Sequence, residues 1–234
     1  MNENQIAKLD DIAKQGTIAL SIANQFEKTF AVANCVQQLK TALTPEVMKP
    51  ITQLQGTKLG FRTDKIYDEK VVRDCLIEAT ILGLYPVGNQ FNIIAGNMYI
   101  TKEGFLFLLK NLKGLSYSCT PGVPKSQTGG AVVDVELEWT YRGKTEKKTL
   151  SLAIRVNVGM GSDAINGKAT RKALAWLYNN ITGQAVGEGD VTDLDVMKPV
   201  GPKLAKLDET KNMSQPKPTF LNAEEITEEE ELKM

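Results

Sequence analysis

Lys168, Arg171 and Lys172 stand at i, i+3 and i+4 within GKATRKALAWLYNNITG, a segment with helical periodicity. That spacing puts three cations on one helix face, bordered by Trp176 four residues beyond Lys172. Phosphates repeat along a nucleic-acid strand, and a fixed row of cations neutralises several at once. The chemistry expected of this face is phosphate binding, although an ordinary solvated helix would carry the same charges. Arg62, Arg73, Lys102, Arg155, Lys58 and Lys113 are candidates to extend the track, and Arg142, Lys144, Lys147 and Lys148 cluster at one hairpin tip. Aromatic faces stack on unpaired bases. Most aromatic residues here (Tyr85, Phe91, Phe105, Phe107, Tyr117, Trp139, Tyr141) fall at core-like spacing. The candidate DNA contacts are therefore mainly ionic: Lys168, Arg171, Lys172, Arg155, Lys102, Arg73, Arg62, Lys144 and Lys147, with Tyr99 and Trp176 as the aromatic members.

Other chemistries find less support. The chain has no histidine, which removes His-assisted nucleophiles and His metal sites. Cys35, Cys75 and Cys119 are far apart, with no CxxC pair, so neither a thiolate zinc site nor a disulfide framework is expected. Cys35 and Cys75 fall on apolar helix faces and read as buried reduced thiols. No cofactor is expected. The stretch Gly161–Lys168, GSDAINGK, imitates a phosphate loop, and a nucleotide-dependent phosphoryl-transfer enzyme is the alternative it suggests. It has five residues between the glycines where that motif has four, and Ala169 where Ser or Thr would meet Mg²⁺. A structural assembly protein is a further alternative.

The elements that must position these residues are legible in the periodicity. Residues 17–43 read as one long helix, with Ile18, Ile22, Phe26, Ala33, Val36, Leu39 and Leu43 near helical spacing. Thr44-Pro45 opens another helix, interrupted at Pro50. Asp68 is the expected N-cap of a helix over 69–82 that Gly83 stops. A hairpin follows, with strands 90–94 and 98–101 about the turn Ala95-Gly96-Asn97. A helix over 102–112, a strand over 115–120 and a loop over 121–130 come next. Strand 131–140 alternates, with Val133, Val135, Leu137 and Trp139 on one side. It turns at Arg142-Gly143-Lys144 into a partner strand over 145–156, and the final helix spans about 163–181. Hairpins joined to helices imply an α+β fold with a mainly antiparallel sheet. Its parts are a long N-terminal helix, a basic C-terminal core helix and a tail.

Net charge is zero, yet unevenly spread. Residues 58–172 carry 17 Lys and Arg against 11 Asp and Glu, whereas residues 185–234 carry six Lys against 12 acids. A basic body with an acidic tail suits a nucleic-acid binder. Three regions are expected: 1–57 helical with a possible role between subunits, 58–185 the α+β DNA-binding core, and 186–234 a disordered acidic tail. The polar start MNENQIAKLDD and the lack of a long apolar run imply a cytoplasmic protein with no membrane contact.

The order of these elements resembles the RecT/Red-beta family of phage single-strand annealing proteins. The resemblance is carried by VVRDCLIEATILGLYPVGNQFNII, NMYITKEGFLFLLKNLKGLSY and GKATRKALAWLYNNITG, and covers about residues 70–182. Gly83-Leu84-Tyr85-Pro86 matches the Gly-Leu-x-Pro turn of the family, and Gly104 its glycine-containing helix. The resemblance implies ATP-independent annealing of complementary strands in recombination, through an annealed duplex intermediate. It also implies homo-oligomeric rings or helical filaments, a partner exonuclease, a host single-strand binding protein as a possible partner, and a bacterial host cytoplasm.

Overall fold

The computed structural model describes residues 3–184. The expected acidic tail lies outside them. The fold is mixed α+β, with several helices and mainly antiparallel strands.

The expected long helix over 17–43 is two helices, α1 (Glu3–Leu20) and α2 (Gln25–Ala42). The break is made by Asn24, whose side chain accepts from the backbone N–H of Phe26 and of Glu27. An asparagine ending one helix by capping the next outweighs continuous apolar spacing. The turn also divides the supposed stripe. Leu39 and Leu43 are buried, while Ile18 and Phe26 are exposed, Phe26 at 80%; Phe30, outside that stripe, is exposed at 74%. Helix α3 (Pro45–Thr52) passes through Pro50 instead of breaking there. The proline forfeits one hydrogen bond, and the helix ends two residues later.

Helix α4 (Glu69–Ile81) starts at Asp68, which caps Val71 N–H at 2.9 Å. It stops in a Schellman motif. Gly83 adopts φ +84°, its N–H reaches Thr80 O, and Leu84 N–H reaches Ala79 O. Two strands, β2 (Phe91–Ile94) and β3 (Asn97–Ile100), form a hairpin across a two-residue turn in which Ala95 and Gly96 both have positive φ. A short strand β1 (Arg62–Thr63), not anticipated from sequence, adds to β2 in parallel. Tyr67 ties this small sheet to α4. Its hydroxyl donates to Asp64 at 2.6 Å and accepts from Gly96 N–H at 2.9 Å. Helix α5 (Lys102–Lys110) begins at Thr101, which caps Gly104 N–H.

The larger sheet centres on β6 (Gly130–Tyr141). One edge of β6 pairs along its whole length with β7 (Lys144–Arg155), through a turn in which Arg142 and Gly143 have positive φ. The other edge pairs with β4 (Leu115–Pro121) and with β5 (Lys125–Gln127). Strand β5 lies in the stretch expected to be a loop. Its three residues double back across Thr128-Gly129, where Gly129 has φ +77°. Ala131, Val133, Val135, Leu137 and Trp139 point inward and are buried, as their alternation requires.

Helix α6 (Ser162–Thr182) lies between this sheet and α5. Ala169, Ala173, Leu174 and Leu177 are fully buried. The same apolar cluster takes in Ile12, Leu39 and Met48 of the N-terminal helices, so these helices share one core with the two sheets, α5 and α6. Cys35 and Cys75 are buried free thiols. Among the described residues, no helix is long and apolar enough to cross a membrane.

Candidate nucleic-acid interface

Helix α6 runs along β7, which among the described residues has a strand neighbour, β6, on one side alone. Lys168, Lys172 and Trp176 stand at i, i+4 and i+8 and meet that strand in turn. Lys172 Nζ donates to Ala153 O at 3.1 Å, and Lys168 Nζ to Arg155 O at 3.4 Å. Trp176 packs edge-on against Trp139 at 5.7 Å, and Lys148 Nζ lies 4.7 Å over its ring. Two ammonium groups are thereby held at known places, since each donates to a fixed carbonyl, and an ammonium has three N–H to give.

These lysines open onto a recess of about 310 Å³. Its walls are Lys168 and Lys172, the end of β7 with Ala153, Ile154 and Arg155, and the β5–β6 turn from Gln127 to Ala131. Among the described residues, three cations line it and no carboxylate does. Ser162 and Asp163, the first residues of α6, follow Gly161, whose position as N-cap supplies no side-chain acceptor.

The remaining candidates fall elsewhere. Arg171 does not join the exposed row; it is 8% exposed. At i−7 from Tyr178 it shares the side of α6 that packs on α5, where Tyr178 meets Phe105. A helix covered by a sheet on one flank and by another helix on the next leaves room for a narrower cationic face than spacing alone suggests. Trp176 is half-buried and belongs to the helix–sheet contact rather than to an open stacking surface. Tyr99 is likewise buried, paired across β2–β3 with Asn92. Arg62 lies in β1, Arg73 on α4 and Lys102 at the start of α5, where it is 3.9 Å from Glu103. At the hairpin tip Lys144 bonds to Glu146 at 2.5 Å, and Lys147 lies 3.5 Å from Glu136. That tip is 11 residues of strand from Arg155, roughly 36 Å at about 3.3 Å per residue. The structure thus brings together Lys168, Lys172 and Arg155 from the candidate set.

Lys125 and Ser151 both donate to Asp134, and these bonds hold its carboxyl below the ordinary range. The β5–β6 turn is the wall that sequence reasoning missed. Thr128-Gly129-Gly130 signalled a turn but not which strand would carry it. Residues 162–168, the look-alike phosphate loop, are the first two turns of α6. Lys168 sits well inside a helix, so no loop wraps a nucleotide there. Neither a family model, nor a curated protein, nor a solved structure matches the chain, and its function must be read from this geometry.

Proposed function

We propose that the protein binds single-stranded DNA by its phosphates and promotes annealing of complementary strands without ATP. The observation that carries this reading is the recess in which Arg155, Lys168 and Lys172 converge, with no carboxylate among its described lining residues. A strand gripped there by its backbone keeps its base edges outward and free to pair. Neutralising phosphates lowers the repulsion between two strands, and correct pairing then retains the duplex.

A single recess of this size engages few phosphates, so the reading requires several subunits in a row. Phe26 and Phe30, one helical turn apart and largely exposed on α2, supply an apolar surface for self-association into a ring or filament. A nuclease that generates single strands and a host single-strand binding protein are the partners such an activity calls for, in the cytoplasm of a bacterial host. The test is annealing of two complementary oligonucleotides without nucleotide cofactor, followed by loss of fluorescence as a donor and quencher meet. Acceleration over the protein-free rate supports the proposal. An unchanged rate at protein concentrations that saturate the strands would sink it.

A further inference from the structure

At the opposite end of the β6–β7 hairpin from Arg155 lies a larger recess, of about 720 Å³. The α1–α2 elbow, the end of α4, α5, the hairpin tip and the end of α6 all contribute to it. Its aromatic members are Tyr85, Phe107, Tyr141 and Tyr178, its cations include Lys28 and Arg142, and no Asp or Glu among the described residues lines it. Tyr85 and Phe107 meet edge to face at 5.9 Å, and Tyr85 is 40% exposed. The Arg142 guanidinium lies 5.1 Å over the Tyr141 ring. Lys14 also reaches the recess but is bonded to Asp10 at 2.6 Å, so the available positive charge is that of Lys28 and Arg142. Neither of these two forms an ion pair among the described residues.

Flat apolar rings and cations, with no carboxylate among the described lining residues, are what an aromatic anion requires. The volume falls in the range of pockets that hold small ligands. We infer that this recess takes unpaired nucleobases of the bound strand, stacked beside Tyr85 and Tyr141, with their phosphates drawn to Lys28 and Arg142. The inference rests on the single-strand reading and adds base contacts that the cationic recess does not supply. A base inside a duplex is stacked on its neighbours and cannot enter, so the recess discriminates against paired DNA.

The experiment compares a thymidine oligonucleotide with an abasic strand of equal length and charge, by fluorescence anisotropy at one salt concentration. Each lost base–aromatic contact weakens binding by roughly tenfold. The full chain is expected to bind the thymidine strand at least that much tighter than the abasic one, and tighter than the corresponding duplex. Tyr85→Leu with Tyr141→Leu should bring thymidine affinity down to the abasic level. Arg142→Gln, which leaves the rings packed, should weaken the thymidine strand while the preference over the abasic strand persists. Equal binding of thymidine and abasic strands by the wild-type protein overturns the inference while leaving phosphate binding intact. Failure of both strands to bind overturns the two readings together.

Discussion

Replacing Lys168 and Lys172 together with alanine removes two of the three cations of the smaller recess and leaves Arg155. The signature is a change in salt dependence. For single strands, log K falls with log[salt] by about 0.7 per phosphate neutralised. Taking one phosphate per cation, the recess contributes a slope of about −2.1 in the wild type and about −0.7 in the double variant. Between 50 and 200 mM salt, that site then loses affinity by about 20-fold in the first case and about threefold in the second. The assay is anisotropy of a labelled oligonucleotide across a salt series. Both lysines also hydrogen-bond to β7 carbonyls, so folding must be checked by far-ultraviolet circular dichroism. Lys168→Arg with Lys172→Arg retains the charge and should retain the slope. A double alanine variant that is folded, binds DNA and shows a slope parallel to the wild type would refute the assignment of phosphates to this recess.

Arg171→Ala should act differently from the lysine changes. Its side chain is buried, so truncation should destabilise the fold by about 2 kcal/mol in urea denaturation. Gly104→Ala should be at least as damaging, since a Cβ there would stand 2.0 Å from Gln90 O and 2.7 Å from Ile100 Cγ2. Overpacking of this kind costs about 1–3 kcal/mol and should lower the urea midpoint, with a larger loss if the backbone cannot yield. Burial, reinforced by its bond to Asp64, pushes the Tyr67 phenol from 10.0 up to about 12. The folded state therefore holds this proton more tightly than the unfolded state. Its contribution is complete below pH 10 and disappears as pH rises through 12. Tyr67→Phe should make stability fall less steeply over that interval, as measured by denaturation at each pH.

Much of the fold was legible because local rules and burial agreed. Asp68 and Gly83 bound α4 as their capping chemistry demands, and Val133 to Trp139 alternate into the core. The failures have one physical source, competition between periodicity and a stronger local or tertiary term. Asn24 overrode a plausible long helix by capping its own successor. β5 was hidden because Lys125, Ser126 and Gln127 are polar and exposed, with no apolar alternation to mark a strand. β1 was hidden by its two-residue length. For the candidate interface, helical spacing placed Lys168 and Lys172 together correctly. Spacing could not tell that α5 would cover the flank holding Arg171, because that depends on which helix packs where. The convergence of Arg155 with α6 likewise depends on how β7 lies beside the helix, a contact between residues distant in sequence.

Lys168 and Lys172 answer a second demand, and it bears on how the interface is judged. Strand β7 presents carbonyls on the side away from β6, and an open edge is a template for another strand. Two ammonium groups placed across Ala153 O and Arg155 O occupy that template, and charged side chains along an edge discourage sheet-to-sheet pairing. Edge protection and phosphate binding are compatible, because an ammonium has three N–H donors and a bond to one carbonyl uses one of them. They differ in consequence. If protection were the whole role, the double alanine variant would self-associate through β7 and keep its DNA salt slope. If phosphate binding is the role, the slope shallows whether or not association changes. Size-exclusion chromatography without DNA, beside the salt series, separates the two. The expected outcome is a shallower slope at an unchanged elution volume. Aggregation accompanied by an unaltered slope would assign these lysines to the strand edge alone.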